Sequence, residues 1–263
     1  MIKTACIETL FTGVPFEQRF ELAKKAGFDY VEFWGWEDKN ISRVANLLKE
    51  NDLKLASFSG DKDYSLIDDK HFTAYLDYAK KSVMTAKRLG CRYLVIHSNA
   101  LGEGGEVVNP YSLTDYYVLY GNMLKCLTEI KKIGEEHDVV FVLEALNTKY
   151  DHAGNFLKYT RDSAGLIRIL NSRNVKILYD VYHMQIMEGD IANTIREYKN
   201  EIGYVHFADA PLRSEPWTGE INYGYFLSML REIGYQGFIG YELFPTKSAE
   251  QAVRAIFNDK VRI

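Results

Sequence analysis

Runs of lysine and arginine are missing from this sequence. Their absence removes the electrostatic footprint that nucleic-acid binding requires. The 263 residues carry 32 Lys and Arg against 36 Asp and Glu, a formal net charge of −4. Cysteine is scarce, and Cys6, Cys91 and Cys126 form no closely spaced pair. That excludes a cysteine-rich zinc cluster and suits a reducing compartment. No run of about 18 apolar residues exists, so no membrane span is expected. The first residues meet Glu8 before an apolar segment long enough for a signal peptide has formed. Linkers and low-complexity segments are lacking as well. These absences lead to the expectation of a cytoplasmic protein, one domain over residues 1–263, acting on a small molecule rather than on nucleic acid or membrane.

What is present is alternation. Val139-Val140-Phe141-Val142-Leu143 is an unbroken apolar run, which reads as a strand buried on both faces. Seven further strands are expected: one within Ile2 to Leu10 that ends near Glu8, then Tyr30 to Trp36, Leu53 to Phe58, Tyr93 to Ile96, Lys176 to Asp180, Ile202 to His206 and Phe238 to Glu242. Helical stripes separate them. Phe16 to Ala26 lies between Pro15 and Gly27, and the stripe from Phe72 to Leu89 ends at Gly90. Others run over Ile41 to Leu48, Thr114 to Glu136, Ser163 to Leu170, Ile191 to Tyr198, Phe226 to Ile233 and Ala249 to Ile256. Such alternation predicts an α/β fold with a parallel sheet, and eight units of this size predict a closed (β/α)8 TIM barrel in a single domain. Two connections are long, 102–109 and 209–222, and are candidate lids. The glycines of the first match no P-loop or dinucleotide fingerprint, so no phosphate role is assigned to them.

Four successive strands each end on a metal-type ligand. They deliver Glu144, Asp180, His206 and Glu242. A charge at the end of a buried run must be paired, protonated or bound to a metal. Taken singly, each has an ordinary explanation: a salt bridge, a core histidine, a helix cap. All four together, at the strand ends where barrels place their sites, point to a metal centre. Three carboxylates and one imidazole favour Mn²⁺ or Mg²⁺, with Co²⁺ or Zn²⁺ as further candidates. Around them, His183, Arg213, Asn147 and His97 are candidate substrate-binding residues. The guanidinium of Arg213 can clamp a carboxylate or carbonyl oxygen, with a solvated surface arginine as the ordinary alternative.

Several segments resemble the hydroxypyruvate isomerase family within the xylose isomerase-like barrels. They are Leu143 to Thr148, Tyr179 to Gln185, Ala208 to Arg213, Glu215 to Tyr223 and Gly240 to Pro245. The resemblance implies a barrel with a divalent ion held by Glu144, Asp180, His206 and Glu242. It implies that Glu144 and Glu242 form a proton-transfer pair, with His183 and Arg213 at substrate-binding positions. The implied activity is isomerisation of a small hydroxy-carbonyl compound through an enediolate, hydroxypyruvate to tartronate semialdehyde or a close 2-oxo acid or sugar analogue. A homodimer or homotetramer would be in keeping with related enzymes. His206 matches the residue of the related ketose 3-epimerases, whereas Tyr150 stands where those epimerases carry Glu. A ketose 3-epimerase, a metal-dependent endonuclease and a non-catalytic sugar-binding barrel remain the alternatives.

Overall fold

The computed structural model describes residues 1–258; the end of the expected 1–263 domain, residues 259–263, lies outside the described residues. Among the described residues the parallel strands follow in chain order around a closed barrel: β1 (Ile2–Cys6), β2 (Tyr30–Phe33), β3 (Lys54–Ser59), β4 (Tyr93–His97), β5 (Val140–Glu144), β6 (Val175–Asp180), β7 (Ile202–His206) and β8 (Phe238–Tyr241). Closure is made by β1 on β8, with Ile2 opposite Phe238 and Ala5 opposite Tyr241. The helices outside are α1 (Phe16–Lys25), α2 (Ile41–Glu50), α3 (Phe72–Leu89), α4 (Tyr116–His137), α5 (Thr160–Leu170), α6 (Val181–Met187), α7 (Ile191–Glu197), α8 (Tyr223–Glu232) and α9 (Ala249–Phe257). None of them is long and apolar enough to cross a membrane.

The period of two along each strand decides what enters the barrel. On β5, Phe141 and Leu143 join the large core between sheet and helices, while Val140 and Val142 belong to a second core inside the barrel. Leu178, Tyr204 and Val95 share that interior. The same parity carries forward to His97, Glu144, Asp180 and His206, the last residues of their strands, and to Glu242, the first residue after β8. Below them the interior is plugged by aromatic rings: Tyr93 packs edge-on against Tyr204 and Phe238, and Tyr204 stacks on Phe238. With the lower barrel filled, polar side chains are left to gather at the C-terminal mouth.

Several strand ends shift, and one helix appears that the sequence pattern does not announce. The first strand stops at Cys6 rather than running past Glu8; Ile7 and Leu10 are buried in the large core, and Leu10 N–H bonds back to Cys6 O in a turn. Apolar composition alone does not distinguish such a turn from a strand. The second strand ends at Phe33, three residues short of Trp36. A short helix, α6, follows β6 directly because the Asp180 carboxylate caps it, accepting from His183 N–H at 3.0 Å.

Candidate active site

Glu144, Asp180, His206 and Glu242 each bring one potential ligand atom within 4.8 Å of the others, and all four are buried. His206 Nδ1 faces the centre, 3.3 Å from Glu242 Oε2, 3.9 Å from Asp180 Oδ2 and 4.0 Å from Glu144 Oε1. Among the described residues neither His206 Nδ1 nor Glu144 Oε1 has a hydrogen-bond partner. Buried polar atoms are normally satisfied, so a pair of orphans aimed at one point is informative. This donor set, with three carboxylates and a ring lone pair at the required spacing, fits a divalent cation.

The electrostatics carry the same message. Burial and the neighbouring Glu144 push the Asp180 carboxyl up to about 7. Burial raises Glu242 too, but Arg213 and His206 outweigh it and hold that carboxyl well below its usual range. For His206, burial favours the neutral ring, yet Glu32 and Glu242 prevail and raise it well above its ordinary value. Without a cation the cluster therefore draws protons to itself. A bound dication would supply that charge and release the ring lone pair.

The remaining site residues take distinct positions. Arg213 is held on the loop after β7, its Nη2 2.9 Å from Glu242 Oε2 and its guanidinium 5.4 Å from the centre of the Tyr182 ring. His97 lines the cavity but is engaged on both sides, Nε2 3.1 Å from Glu144 Oε2 and Nδ1 3.2 Å from Asp61 Oδ1. Burial disfavours its charge; Asp61 and Glu144 override this and raise it to about 10. His183 is buried one turn beyond Asp180. Its Nδ1 accepts the backbone N–H of Asn147 at 3.3 Å and lies 2.8 Å from the Asn147 amide nitrogen. A backbone N–H can only donate, so the His183 proton sits on Nε2. Burial, with Arg213 nearby, holds this ring well below its ordinary range.

Asn147 does not line the cavity. Its amide nitrogen also donates to Asp151 at 2.7 Å, and its oxygen accepts from the backbone of Tyr150 and Asp151. It stands behind His183 and fixes that ring.

Sequence reasoning passed over several groups. Glu32, inside β2, is buried with Oε1 3.3 Å from His206 Nε2, and its other oxygen accepts from Tyr204 OH at 2.5 Å and Ser57 Oγ at 3.1 Å. A charge in the middle of Tyr30-Val31-Glu32-Phe33 was the available signal. Gly240 is required here, because a Cβ on it would stand 2.3 Å from Glu32 Oε1 and 2.7 Å from His206 Cδ2. Trp34 donates its indole N–H to Glu242 Oε1 at 2.5 Å. Asp61 and His152 come from loops and left no periodic trace.

Glu32, Trp34, Asp61 and His152, with Glu144, His206 and Glu242, line a cavity of about 1090 Å³ at the barrel mouth. Leu101 and, from the 102–109 connection, Gly102 to Glu106 cover one side, and Pro211, Leu212 and Arg213 of the second long connection form another wall. That second connection is braced internally. Asp209 accepts the backbone N–H groups of Thr218, Gly219 and Ile221 at 2.9–3.2 Å.

A family model described as a xylose isomerase-like TIM barrel matches residues 20–258. Hydroxypyruvate isomerase of Escherichia coli (strain K12) is 29% identical over 261 residues, covering 95% of this chain and 96% of that protein. A 2-oxo-tetronate isomerase of Haemophilus influenzae is 29% identical over 257 residues, covering 92% of each. Among solved structures, one described as an AP endonuclease, family 2, from Brucella melitensis superposes with a TM-score of 0.84 at 29% identity, covering 96% of each chain.

Proposed function

Because this chain belongs to the xylose isomerase-like TIM barrel family, we propose that it is a divalent-metal-dependent isomerase of a small 2-oxo or 2-hydroxy acid. One observation carries the reading: Glu144, Asp180, His206 and Glu242 converge, buried, on a single point at the barrel mouth. The substrate is hydroxypyruvate or a close analogue such as a four-carbon 2-oxo acid. This is the class on which the full-length relatives named above act.

Glu144, Asp180, His206 and Glu242 would hold the ion. When bound, Mn²⁺ or Mg²⁺ supplies Lewis-acid polarisation of adjacent carbonyl and hydroxyl oxygens. The chain's own residues account for the proton. Glu144 and Glu242 flank the centre, and a carboxylate there can take a proton from one substrate carbon and return it to its neighbour. Glu242, kept ionised by Arg213 and His206, starts as a base. Glu144 has one oxygen against His97 and the other without a hydrogen-bond partner among the described residues, so it is free to receive a proton. The negative charge that develops on substrate oxygen as the enediolate forms is met by the Arg213 guanidinium. Trp34 and residues 102–106 line the cavity around this chemistry.

The test is proton exchange followed by NMR in D₂O with added Mg²⁺, on hydroxypyruvate, a four-carbon 2-oxo acid, fructose and tagatose. Metal-dependent deuterium incorporation and product from a 2-oxo acid is the expected result. Exchange at C3 of a ketose alone would transfer the protein to the epimerases. No exchange with any of the four would overturn the assignment.

A further inference from the structure

His152 is buried at 7% exposure on the loop after β5, lines the same cavity, and is used by none of the chemistry above. Its Nδ1 lies 2.7 Å from Gly105 O on the 102–109 connection. A backbone carbonyl can only accept, so Nδ1 carries the proton and Nε2 presents a lone pair. That Nε2 is buried without a hydrogen-bond partner among the described residues. Next to it, His183 shows the opposite tautomer: Nδ1 accepts from Asn147, so Nε2 carries a proton, and it too is unpartnered. The two rings meet edge to face, with centroids 5.2 Å apart. Two adjacent buried imidazoles thus leave one acceptor and one donor unused.

The surroundings are built to hold this arrangement. Gly105 has φ +82°, and a Cβ on it would lie 2.7 Å from His152 Cε1, so the turn is shaped around the ring. Gly102 N–H bonds to Glu106 O at 2.7 Å and Gly105 N–H to Gly102 O at 3.1 Å, which fixes the carbonyl that sets the His152 tautomer. Asp151, His152 and His183 also bring potential ligand atoms within 4.8 Å of one another. They do not make a cation site, because His183 has its Nδ1 lone pair engaged by Asn147 and a proton on Nε2.

We infer that His152 and His183 together form a subsite for one free hydroxyl of the substrate, outside the oxygen pair that reacts. A hydroxyl satisfies both orphans: its oxygen accepts from His183 Nε2–H while its hydrogen goes to His152 Nε2. A carbonyl or carboxylate oxygen has no hydrogen to give, so His152 selects against it. Burial keeps His152 below its ordinary range, which preserves the acceptor at neutral pH. The substrate class narrows to a 2-oxo acid with a hydroxyl beyond the two carbons that exchange the proton, hence at least four carbons. The inference rests on the proposed isomerase site in placing the reacting end of that acid at the Glu144–Glu242 centre.

The experiment uses the Mg²⁺-loaded protein and two inert acids, 2,3,4-trihydroxybutanoate and its 4-deoxy counterpart, 2,3-dihydroxybutanoate. Affinities are measured by calorimetry for wild type, His152→Asn and His152→Gln. Asn reproduces the Nδ1 donor to Gly105 and lacks the distal acceptor; Gln keeps an acceptor near the Nε2 position and drops the Gly105 bond. Wild type is expected to prefer the trihydroxy acid by about tenfold or more. His152→Asn should lose the preference and His152→Gln should keep most of it. In ¹⁵N-histidine NMR of wild type, the His152 Nε2 resonance should move with the trihydroxy acid and stay in place with the 4-deoxy acid. This readout decides the question even where a variant does not fold. Equal affinities in wild type, an unchanged preference in His152→Asn or a static Nε2 resonance would overturn the inference, with water filling the subsite instead. Preference in binding without deuterium exchange on 2-oxo acids would sink the isomerase reading and leave the subsite standing; exchange without preference would do the reverse.

Discussion

His206 Nε2 lies 3.3 Å from Glu32 Oε1, on the side of the ring away from the carboxylate cluster. Glu32 is itself anchored by Tyr204 OH and Ser57 Oγ. A carboxylate behind a ligating imidazole fixes its tautomer and raises its basicity, and loss of such a partner weakens metal binding about 10–100-fold. Glu32→Gln should therefore fold normally and bind Mn²⁺ more weakly by about that factor. Calorimetric titration of the metal-free protein measures it. Wild-type affinity in the variant would show that Glu32 serves only the barrel core.

Glu144→Gln and Glu242→Gln should each lower turnover by about 10²–10⁴, the range for removal of a positioned acid or base. Stability should behave differently. Glu144 contributes to the raised Asp180 pKa, so replacing its charge relieves repulsion. Metal-free Glu144→Gln is expected to melt no lower than wild type near neutral pH. A lower melting temperature would mean that its contact with His97 outweighs that repulsion. Full turnover in either variant would remove the proton-transfer assignment.

The barrel was legible because a strand buried on both faces is an unbroken apolar run and the residue that ends it is conspicuous. Val139 to Glu144 carries both signals in six residues. Glu32 obeyed the same grammar but sits one position inside its strand, where a charge reads as an exception rather than an ending. Asp180 is helix cap and site residue at once: its Oδ1 caps α6 and its Oδ2 faces His206. Asn147 follows the candidate ligand Glu144 in sequence, yet its amide turns toward Asp151 and His183, a choice set by the local loop. His152 left no pattern, because what aims it is the carbonyl of Gly105 in a turn 47 residues earlier.

Gly105→Ala should test how tightly that turn is shaped around His152. The substitution meets a positive φ and a contact of 2.7 Å with the imidazole. A non-glycine residue held in the left-handed region costs about 1–3 kcal/mol. The contact adds to this cost, and the shorter side chain of His152→Asn should relieve part of it. A double-mutant cycle in urea unfolding is expected to show the two changes coupled, with the double variant more stable than their sum predicts. Strict additivity would place the whole penalty in the backbone.

The same histidine should leave a mark on the pH dependence of folding. Burial holds His152 below its ordinary value, while in the unfolded chain it titrates near about 6.5. Below that pH the unfolded state binds a proton that the folded state refuses, so stability falls as the pH falls. The contribution is present above the unfolded pKa and is lost on acidification, with a limiting slope of about 1.4 kcal/mol per pH unit for one proton. His152→Asn has no such group, and the other titrating residues are common to both proteins. The stability of metal-free wild type minus that of His152→Asn should therefore grow as the pH rises from about 5.5 to about 7, then level off. Urea unfolding across this range measures the difference. A constant offset would show that His152 takes up its proton equally in both states, and that the neutral acceptor facing the cavity is not maintained.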